Sequence, residues 1–302
     1  MYARSFFQRL FHKQLPPVIK TFNFSVACDQ YCLWIGHSTF LIHLNGCTIL
    51  TDPVFGAATW LFKRICRPGA EVGQLPPVDY VLLSHNHRDH MDADSIFALI
   101  RQNPQVTFLV PLETKKWFLQ HGIKRVHEYV WWDAFEIPGL RCTFLPAYHW
   151  SGRFLTDRNR TLWGSWMIEG QGKTIYFAGD TAYWKHFSCI AHYFPHIDVA
   201  LLPVGPCTPY SYMRTSHLNA TWAVQAFCDL RARNFVAMHW GTFYFGTDDI
   251  YTPLPLLKQA WRAKKLTEER LIILNPGHAV NLVTGRVLAP EKSANITLKT
   301  FL

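Results

Sequence analysis

The sequence predicts an α/β protein in which two half-sheets, each covered by helices, pack together within one domain. Three observations predict it. Short runs rich in β-branched and aromatic residues alternate with helix-length amphipathic segments from Tyr31 to Leu274. The pattern of strands followed by helices begins again near Leu140, with no linker, low-complexity stretch or sequence repeat between the halves. The chain has 302 residues, 49% of them hydrophobic, which is long for one domain but enough for a core that uses all of it.

The elements follow in order. Residues 1–21 form an N-terminal segment that ends beyond Pro16-Pro17. On a helix, Phe6, Phe7, Leu10 and Phe11 would separate from Arg4, Arg9 and Lys13, a pattern that suits a helix lying on a membrane surface or one packed on the body of the protein. Residues 22–302 make the single domain. Tyr31–Ile35 and Thr39–Leu44 are strands, and Asn45-Gly46 supplies a type I′ hairpin turn because both residue types tolerate positive φ. Cys47–Thr51 returns and Asp52-Pro53 closes it. Val78–Ser84 is a short buried strand that runs into a histidine-rich loop. Asp92–Arg101 is helical, with Asp92 or Asp94 at its start and Asn103-Pro104 after it. Thr107–Val110 is a strand, and Glu113–His121 a helix stopped by Gly122. In the second half, Leu140–Pro146, Leu162–Glu169, Lys173–Ala178 and Val199–Pro203 are strands, with a turn at Gly170–Gly172. Asn219–Leu230 is a helix, Phe235–Met238 a strand running into His239, and Leu271–Leu274 the last core strand.

Composition narrows the setting. The net charge of +9 attracts anions in general, whether nucleic acid, anionic lipid or phosphorylated substrates. No RNA-binding module or long basic arm accompanies it, so no specific nucleic-acid partner is expected. Aromatic residues reach 15%, with 12 Trp, which leaves rings to spare for a cleft or a lipid surface. The 8 cysteines form no Cys-x-x-Cys pair and sit among apolar residues, as reduced thiols of a cytosolic protein would. No apolar run approaches the roughly 18 residues that span a bilayer, and no continuous signal-peptide core is present. A cytoplasmic protein, with peripheral membrane contact through residues 1–21, is the expectation.

The chemistry concentrates in His85-Asn86-His87-Arg88-Asp89-His90. Zinc takes imidazole nitrogen and carboxylate oxygen, and a catalytic site keeps a position for water. His85, His87, Asp89 and His90 offer four such ligands on a loop at a strand end, where several side chains can turn toward one point. Packing gives no reason to crowd three imidazoles and a carboxylate together. Their repulsion and desolvation call for a cation or for protonation. A second metal needs further ligands, and His149, Asp180 and His239 each stand just past an apolar run.

The hexad, with Gly179-Asp180-Thr181 and His239-Trp240-Gly241, resembles the metallo-β-lactamase superfamily. A wider set of segments resembles N-acyl-phosphatidylethanolamine-hydrolysing phospholipase D and its bacterial relatives. These are Trp34–Thr39, Leu50–Phe55, Leu75–Asp79, Pro146–Trp150, Leu162–Trp166, Leu202–Gly205 with Met213 and His217 after it, and His239–Phe243. The resemblance spans roughly Leu33 to Phe245 and implies an αββα sandwich. It implies two Zn2+ per chain, with His85, His87 and His149 on one, Asp89, His90 and His239 on the other, and Asp180 bridging them. The implied reaction is hydrolysis of N-acyl-phosphatidylethanolamine-like phospholipids to N-acylethanolamine and phosphatidic acid by a hydroxide shared between the zinc ions. Asp180, Asp89 and His217 would be the catalytic residues. His217 would contact the scissile phosphate or help the leaving group. Arg88, by its own charge and place in the metal loop, would reach an anionic substrate or stay solvated. His37 and Asp52 would bond a ligand or a neighbouring loop. The chain departs from the family pattern at Arg88, where the family has Tyr, at Gly205-Pro206-Cys207, where it commonly has Gly-Ala-Tyr, and at Asn219, where it has Pro. None of these removes a ligand; they bear on the substrate. The alternatives are a hydrolase of the same fold acting on a sugar lactone or nucleic acid, and a non-catalytic metal-binding protein. A lipid substrate predicts an apolar groove beside the metals, and a sugar lactone a small polar pocket.

Overall fold

A computed structural model of the chain describes residues 22, 24, 29–59, 62–154, 156–247 and 249–290. The N-terminal segment, with its expected amphipathic helix, lies outside the described residues.

The first sheet is built from β1 (Tyr31–Gly36), β2 (Thr39–Leu44), β3 (Cys47–Thr51), β4 (Tyr80–Leu82), β5 (Thr107–Pro111) and β6 (Val126–Tyr129). The second is built from β7 (Ala134–Ile137), β8 (Leu140–Leu145), β9 (Ser165–Gly170), β10 (Lys173–Phe177), β11 (Val199–Pro203), β12 (Asn234–Met238) and β13 (Leu271–Ile272). The last two strands, β14 (Ala279–Asn281) and β15 (Val287–Leu288), return to the first sheet. Strand order is β15-β14-β1-β2-β3-β4-β5-β6 in one sheet and β13-β12-β11-β10-β9-β8-β7 in the other.

Both sheets carry the same internal logic. An antiparallel meander, β1-β2-β3 or β8-β9-β10, passes into a parallel run, β4-β5-β6 or β11-β12-β13. Strands of like direction end on the same edge, which is where open α/β sheets place their ligands. The loops after β1, β3 and β4 therefore open on one edge of the first sheet, and those after β8, β10, β11 and β12 on one edge of the second. These loops carry His37, Asp52 and the hexad on one side, and His149, Asp180, His217 and His239 on the other.

Side chains alternate across each strand, and the two faces meet different partners. Trp34, Phe40, Ile42 and Leu44 turn toward Cys142, Phe144, Trp166 and Ile168 of the second sheet. Leu33, Ile35, Leu41 and Leu50 turn the other way, onto Ile96 and Leu99 of α1 (Ala93–Gln102) and Phe118 of α2 (Lys115–Gln120). The larger core continues through the second sheet to Val224 and Phe227 of α5 (Ala220–Leu230) and to Leu257 and Trp261 of α6 (Pro253–Ala263). Two shorter helices, α3 (His186–Tyr193) and α4 (Tyr210–Met213), lie between β10 and α5. The layers are helix, sheet, sheet, helix. Trp34, Trp166 and Trp261 are fully buried, and truncating such a side chain to Ala costs roughly 3–5 kcal/mol.

The sheets are joined at the end of β4. Trp166 Nε1 donates to the Leu83 carbonyl at 2.9 Å, and Gly164 N to the Ser84 carbonyl at 2.9 Å. Gly179 lies against the same residue with φ +57, and a Cβ there would run into the Ser84 side chain. Only glycine lets the loop after β10 approach the loop after β4 this closely.

Most predicted elements match within a few residues, and Asn45-Gly46 adopts φ of 54 and 72 as a type I′ turn requires. Leu271 does begin a strand, but it is not the last, because β14 pairs with β1 through Leu33↔Ala279 and Tyr31↔Asn281. The third strand of the second half starts at Ser165 rather than Leu162, since Trp163 and Gly164 are bonded to Ala147 and Ser84 of the site loops instead of continuing a ladder. The seven described cysteines are free thiols, and among the described residues no helix is long and apolar enough to cross a membrane.

Candidate metal centre

The hexad leaves β4 and tightens at once. His90 N and Met91 N both donate to the His87 carbonyl, at 3.1 and 2.8 Å. This turn aims four side chains of six consecutive residues at the opposite sheet. His85 Nε2 and His149 Nε2 approach His87 Nδ1 to 2.7 and 3.2 Å, so three ring nitrogens converge on one point. Beside them, His90 Nε2 lies 3.3 Å from Asp89 Oδ2 and 3.2 Å from Asp180 Oδ2. His239 Nε2 stands 3.1 Å from Asp180 Oδ1 and 3.9 Å from Asp89 Oδ2. Asp180 is common ground, because its Oδ2 is also 3.8 Å from His149 Nε2.

The other ring nitrogens show which way each imidazole must face. Asp52 is buried and accepts from Ser84 N at 2.7 Å, Ser84 Oγ at 2.5 Å and His90 Nδ1 at 2.6 Å. With its hydroxyl proton given to Asp52, Ser84 Oγ accepts from His85 Nδ1 at 2.8 Å. His149 Nδ1 donates to the Ser216 carbonyl at 2.7 Å. In all three histidines Nδ1 therefore carries a proton, and Nε2 is the nitrogen turned toward a metal.

The cluster fits divalent cations on two grounds. His90 Nε2, His239 Nε2 and Asp180 Oδ1 are buried without a hydrogen-bond partner, although leaving such an atom unsatisfied costs about 1–3 kcal/mol. The charges also ask for a cation. Burial pushes the His85 and His149 imidazoles well below their ordinary range and His87 down to about 4, so all three are neutral donors. Burial would raise the Asp180 carboxyl, but facing His239 and His90 hold it well below the usual carboxylate range. Burial would likewise lower His90, yet the carboxylates of Asp180, Asp89 and Asp52 lift it well above its ordinary value. The site gathers the carboxylates of Asp52, Asp89 and Asp180 around its imidazoles, negative charge that a divalent cation can offset.

All seven expected ligands are thus brought together. His217 stands at the half-buried side of the cluster, with Nδ1 3.6 Å from Asp180 Oδ2 and its ring 5.2 Å from that of His149. His37 reaches Asp89 Oδ2 with Nε2 at 3.0 Å and lies against the His239 ring at 4.0 Å, so it supports a ligand while being buried itself. Arg88 is exposed, with its guanidinium 5.2 Å above the Phe154 ring. Beside His37 and His239 a pocket is lined by Pro206, Trp240, Phe243, Phe245, Ile250 and Pro253, largely apolar side chains. Sequence reasoning missed the supports: Ser84, the Ser216 carbonyl, and Asn86 with Arg153, which tie a later loop to the hexad. Ser84 and Ser216 each directly precede a singled-out histidine, and that adjacency is the one signal the sequence offered.

Comparison with known proteins agrees with this geometry. Residues 47–240 match the model of the beta-lactamase superfamily domain. The chain is 35% identical over 259 residues to N-acyl-phosphatidylethanolamine-hydrolyzing phospholipase D 1 of Caenorhabditis elegans, covering 80% of this chain and 73% of that protein. It is 34% identical over 242 residues to the mitochondrial N-acyl-phosphatidylethanolamine-hydrolyzing phospholipase D of Saccharomyces cerevisiae, covering 76% of this chain and 52% of the yeast protein. Among solved structures, a metallo hydrolase from the hyperthermophilic archaeon Ignicoccus hospitalis superposes with a TM-score of 0.61 at 20% identity, over 83% of this chain and 97% of that one. That last likeness concerns the fold alone.

Proposed function

The chain belongs to the beta-lactamase superfamily and is a metal-dependent hydrolase of that fold, and from this premise we propose that it is a dizinc phosphodiesterase of the phospholipase D type. Its substrates are N-acyl-phosphatidylethanolamine-like phospholipids, which it cleaves to N-acylethanolamine and phosphatidic acid. The observation that carries this reading is the convergence of seven ligand-type side chains, with orphaned atoms facing inward, in a chain 35% identical to a relative named for that reaction.

His85, His87 and His149 would hold one ion, Asp89, His90 and His239 the other, and Asp180 both. When bound, the two zinc ions supply Lewis acidity, lowering the pKa of water toward neutrality and offsetting charge on the phosphate oxygens. The residues do the rest by position. Asp52 and Ser84 keep His90 and His85 turned inward, so that the ligand set needs no rearrangement. His217, beside Asp180 at the half-buried side of the cluster, contacts a phosphate oxygen and orients the diester for attack. Phe243, Phe245, Trp240 and Pro253 place apolar surface beside His37 and His239, which favours a lipid substrate over a sugar lactone.

The test is incubation of zinc-loaded protein with N-acyl-phosphatidylethanolamine, a sugar lactone and RNA in parallel, with products read by mass spectrometry. N-acylethanolamine and phosphatidic acid in equal amounts are expected. Turnover of the lactone or RNA alone refutes the phospholipase reading.

A further inference from the structure

The loop after His149 is folded around one carboxylate and fastened to the hexad. Asp157 Oδ1 accepts from Phe154 N at 2.8 Å and Arg153 N at 2.9 Å, and Oδ2 from Arg153 N at 3.1 Å. Ser151 and Asn159 close the loop, through Asn159 N to the Ser151 carbonyl at 2.8 Å and Ser151 N to Asn159 Oδ1 at 3.2 Å. Three bonds then clamp it to the metal loop. Gly152 N donates to Asn86 Oδ1 at 2.7 Å, and Arg153 Nη1 to the carbonyls of Asn86 and Met91 at 2.9 and 2.6 Å. The backbone of this loop is therefore held to the metal loop, and the Trp150 ring packs against that of His87 at 4.2 Å.

Each of two rings bears a guanidinium. Arg158 lies 4.8 Å over Trp150, and Arg88, from within the hexad, 5.2 Å over Phe154. Both arginines are exposed, and neither forms an ion pair among the described residues. The nearby Asp157 carboxylate is already taken by backbone amides, and Arg153 is committed to carbonyls. An arginine stacked on a ring has its plane set while its edge N–H groups stay free, the arrangement that receives a carboxylate or phosphate in two parallel hydrogen bonds. Trp150 and Phe154 stand four residues apart on this loop, so both guanidiniums are carried beside the metal loop by one short segment.

We propose that Arg88 and Arg158 form a recognition site for a second anionic group on the substrate, a carboxylate or phosphate carried in addition to the scissile phosphodiester. This rests on the phosphodiesterase reading and narrows its substrate class. N-acylation removes the positive charge of an aminophospholipid head. An N-acylated ethanolamine head then carries only its phosphodiester charge, whereas an N-acylated serine head keeps a carboxylate with no internal partner. The cluster faces the phosphodiester, and the two stacked guanidiniums answer the carboxylate.

The experiment compares N-acylated phosphatidylserine with N-acylated phosphatidylethanolamine of the same acyl composition, in micelles of uncharged detergent. The native chain should show the higher kcat/KM on the serine lipid. Arg88→Gln and Arg158→Gln should each lower the serine-to-ethanolamine ratio by roughly five- to tenfold, with bound metal measured alongside to separate lost recognition from a disturbed ligand set. A native ratio at or below one, or a ratio that neither substitution moves, overturns the proposal while leaving the phosphodiesterase reading intact. Calorimetry with the soluble N-acetylated glycerophosphoserine and glycerophosphoethanolamine heads answers without turnover. Tighter binding of the serine head, lost in Arg88→Gln, supports the site even if neither lipid is cleaved, which would count against the phosphodiesterase reading alone. Equal binding of the two heads overturns it. A serine preference seen only on anionic vesicles and absent with soluble heads also overturns it, because the cations would then be sensing bilayer charge.

Discussion

Replacing Asp52 by Asn tests the orientation of the metal ligands without touching a ligand. Asp52 is buried and accepts from three donors, two of them at Oδ2. An amide has one accepting oxygen. If its NH2 takes the Oδ2 position it faces both Ser84 Oγ and the His90 Nδ1 proton; if it takes the Oδ1 position it faces Ser84 N–H. Either way a donor meets a donor. The less costly choice strands one buried N–H, worth about 1–3 kcal/mol, and turns two charge-assisted bonds into neutral ones, each about 1 kcal/mol weaker. A loss of about 3–5 kcal/mol follows, which in a domain of this size lowers Tm by roughly 6–20 °C. His90 and, through Ser84, His85 lose the partner that sets their tautomer, so metal affinity should fall roughly 10- to 100-fold. Scanning calorimetry of the metal-free protein reads the first quantity, and competition against a chromophoric chelator reads the second. A variant with native metal affinity would refute the claim that Asp52 orients these ligands, whatever its Tm.

Metal analysis of the purified protein should find about two zinc ions per chain, and a protein that takes up no transition metal after reconstitution would remove the basis for the site. Asp180→Asn should abolish turnover with the fold preserved by circular dichroism, since an amide is a poor bridge between two cations; near-native activity would deny it the bridging position. His217→Ala should lower kcat at least tenfold with metal content unchanged, whereas loss of one metal would move His217 into the ligand set, which its 3.6 Å approach to Asp180 makes a sharp alternative. Residues 1–15 should anchor the protein to anionic vesicles in a salt-sensitive manner, each basic residue contributing on the order of 1 kcal/mol, and equal co-sedimentation of full-length and truncated protein would show that the anchor lies elsewhere.

The site was legible where ligands are consecutive and obscure where they are supported from afar. His85, His87, Asp89 and His90 announce themselves because no packing need explains them, and His149, Asp180 and His239 because each follows an apolar run. The carbonyl that sets His149 belongs to Ser216, 67 residues along the chain, and no local pattern links the two. The same division holds for the fold. The strands β1 to β3 are buried and announced by Asn45-Gly46. The strands β6 and β7 were missed because each is four residues long and sits at a sheet edge, where half-exposed positions blur the alternation. The helix α6 is not among the predicted elements; two prolines open it, and Pro at the first helical position leaves no needed hydrogen bond unmade.

The hexad comes from the first half-sheet, and His149, Asp180 and His239 come from the second. Neither half owns a complete coordination set, so a bound cation is a reversible cross-link across the seam that Trp166, Gly164 and Gly179 already close. Pulling the halves apart means releasing the metal first. Mass action then ties the cohesion of the whole domain to its surroundings: while a site remains well above its dissociation constant, each tenfold rise in free metal adds about 1.4 kcal/mol against separation. A cell that withholds the metal would loosen the body of this protein in the same measure as it silences the chemistry.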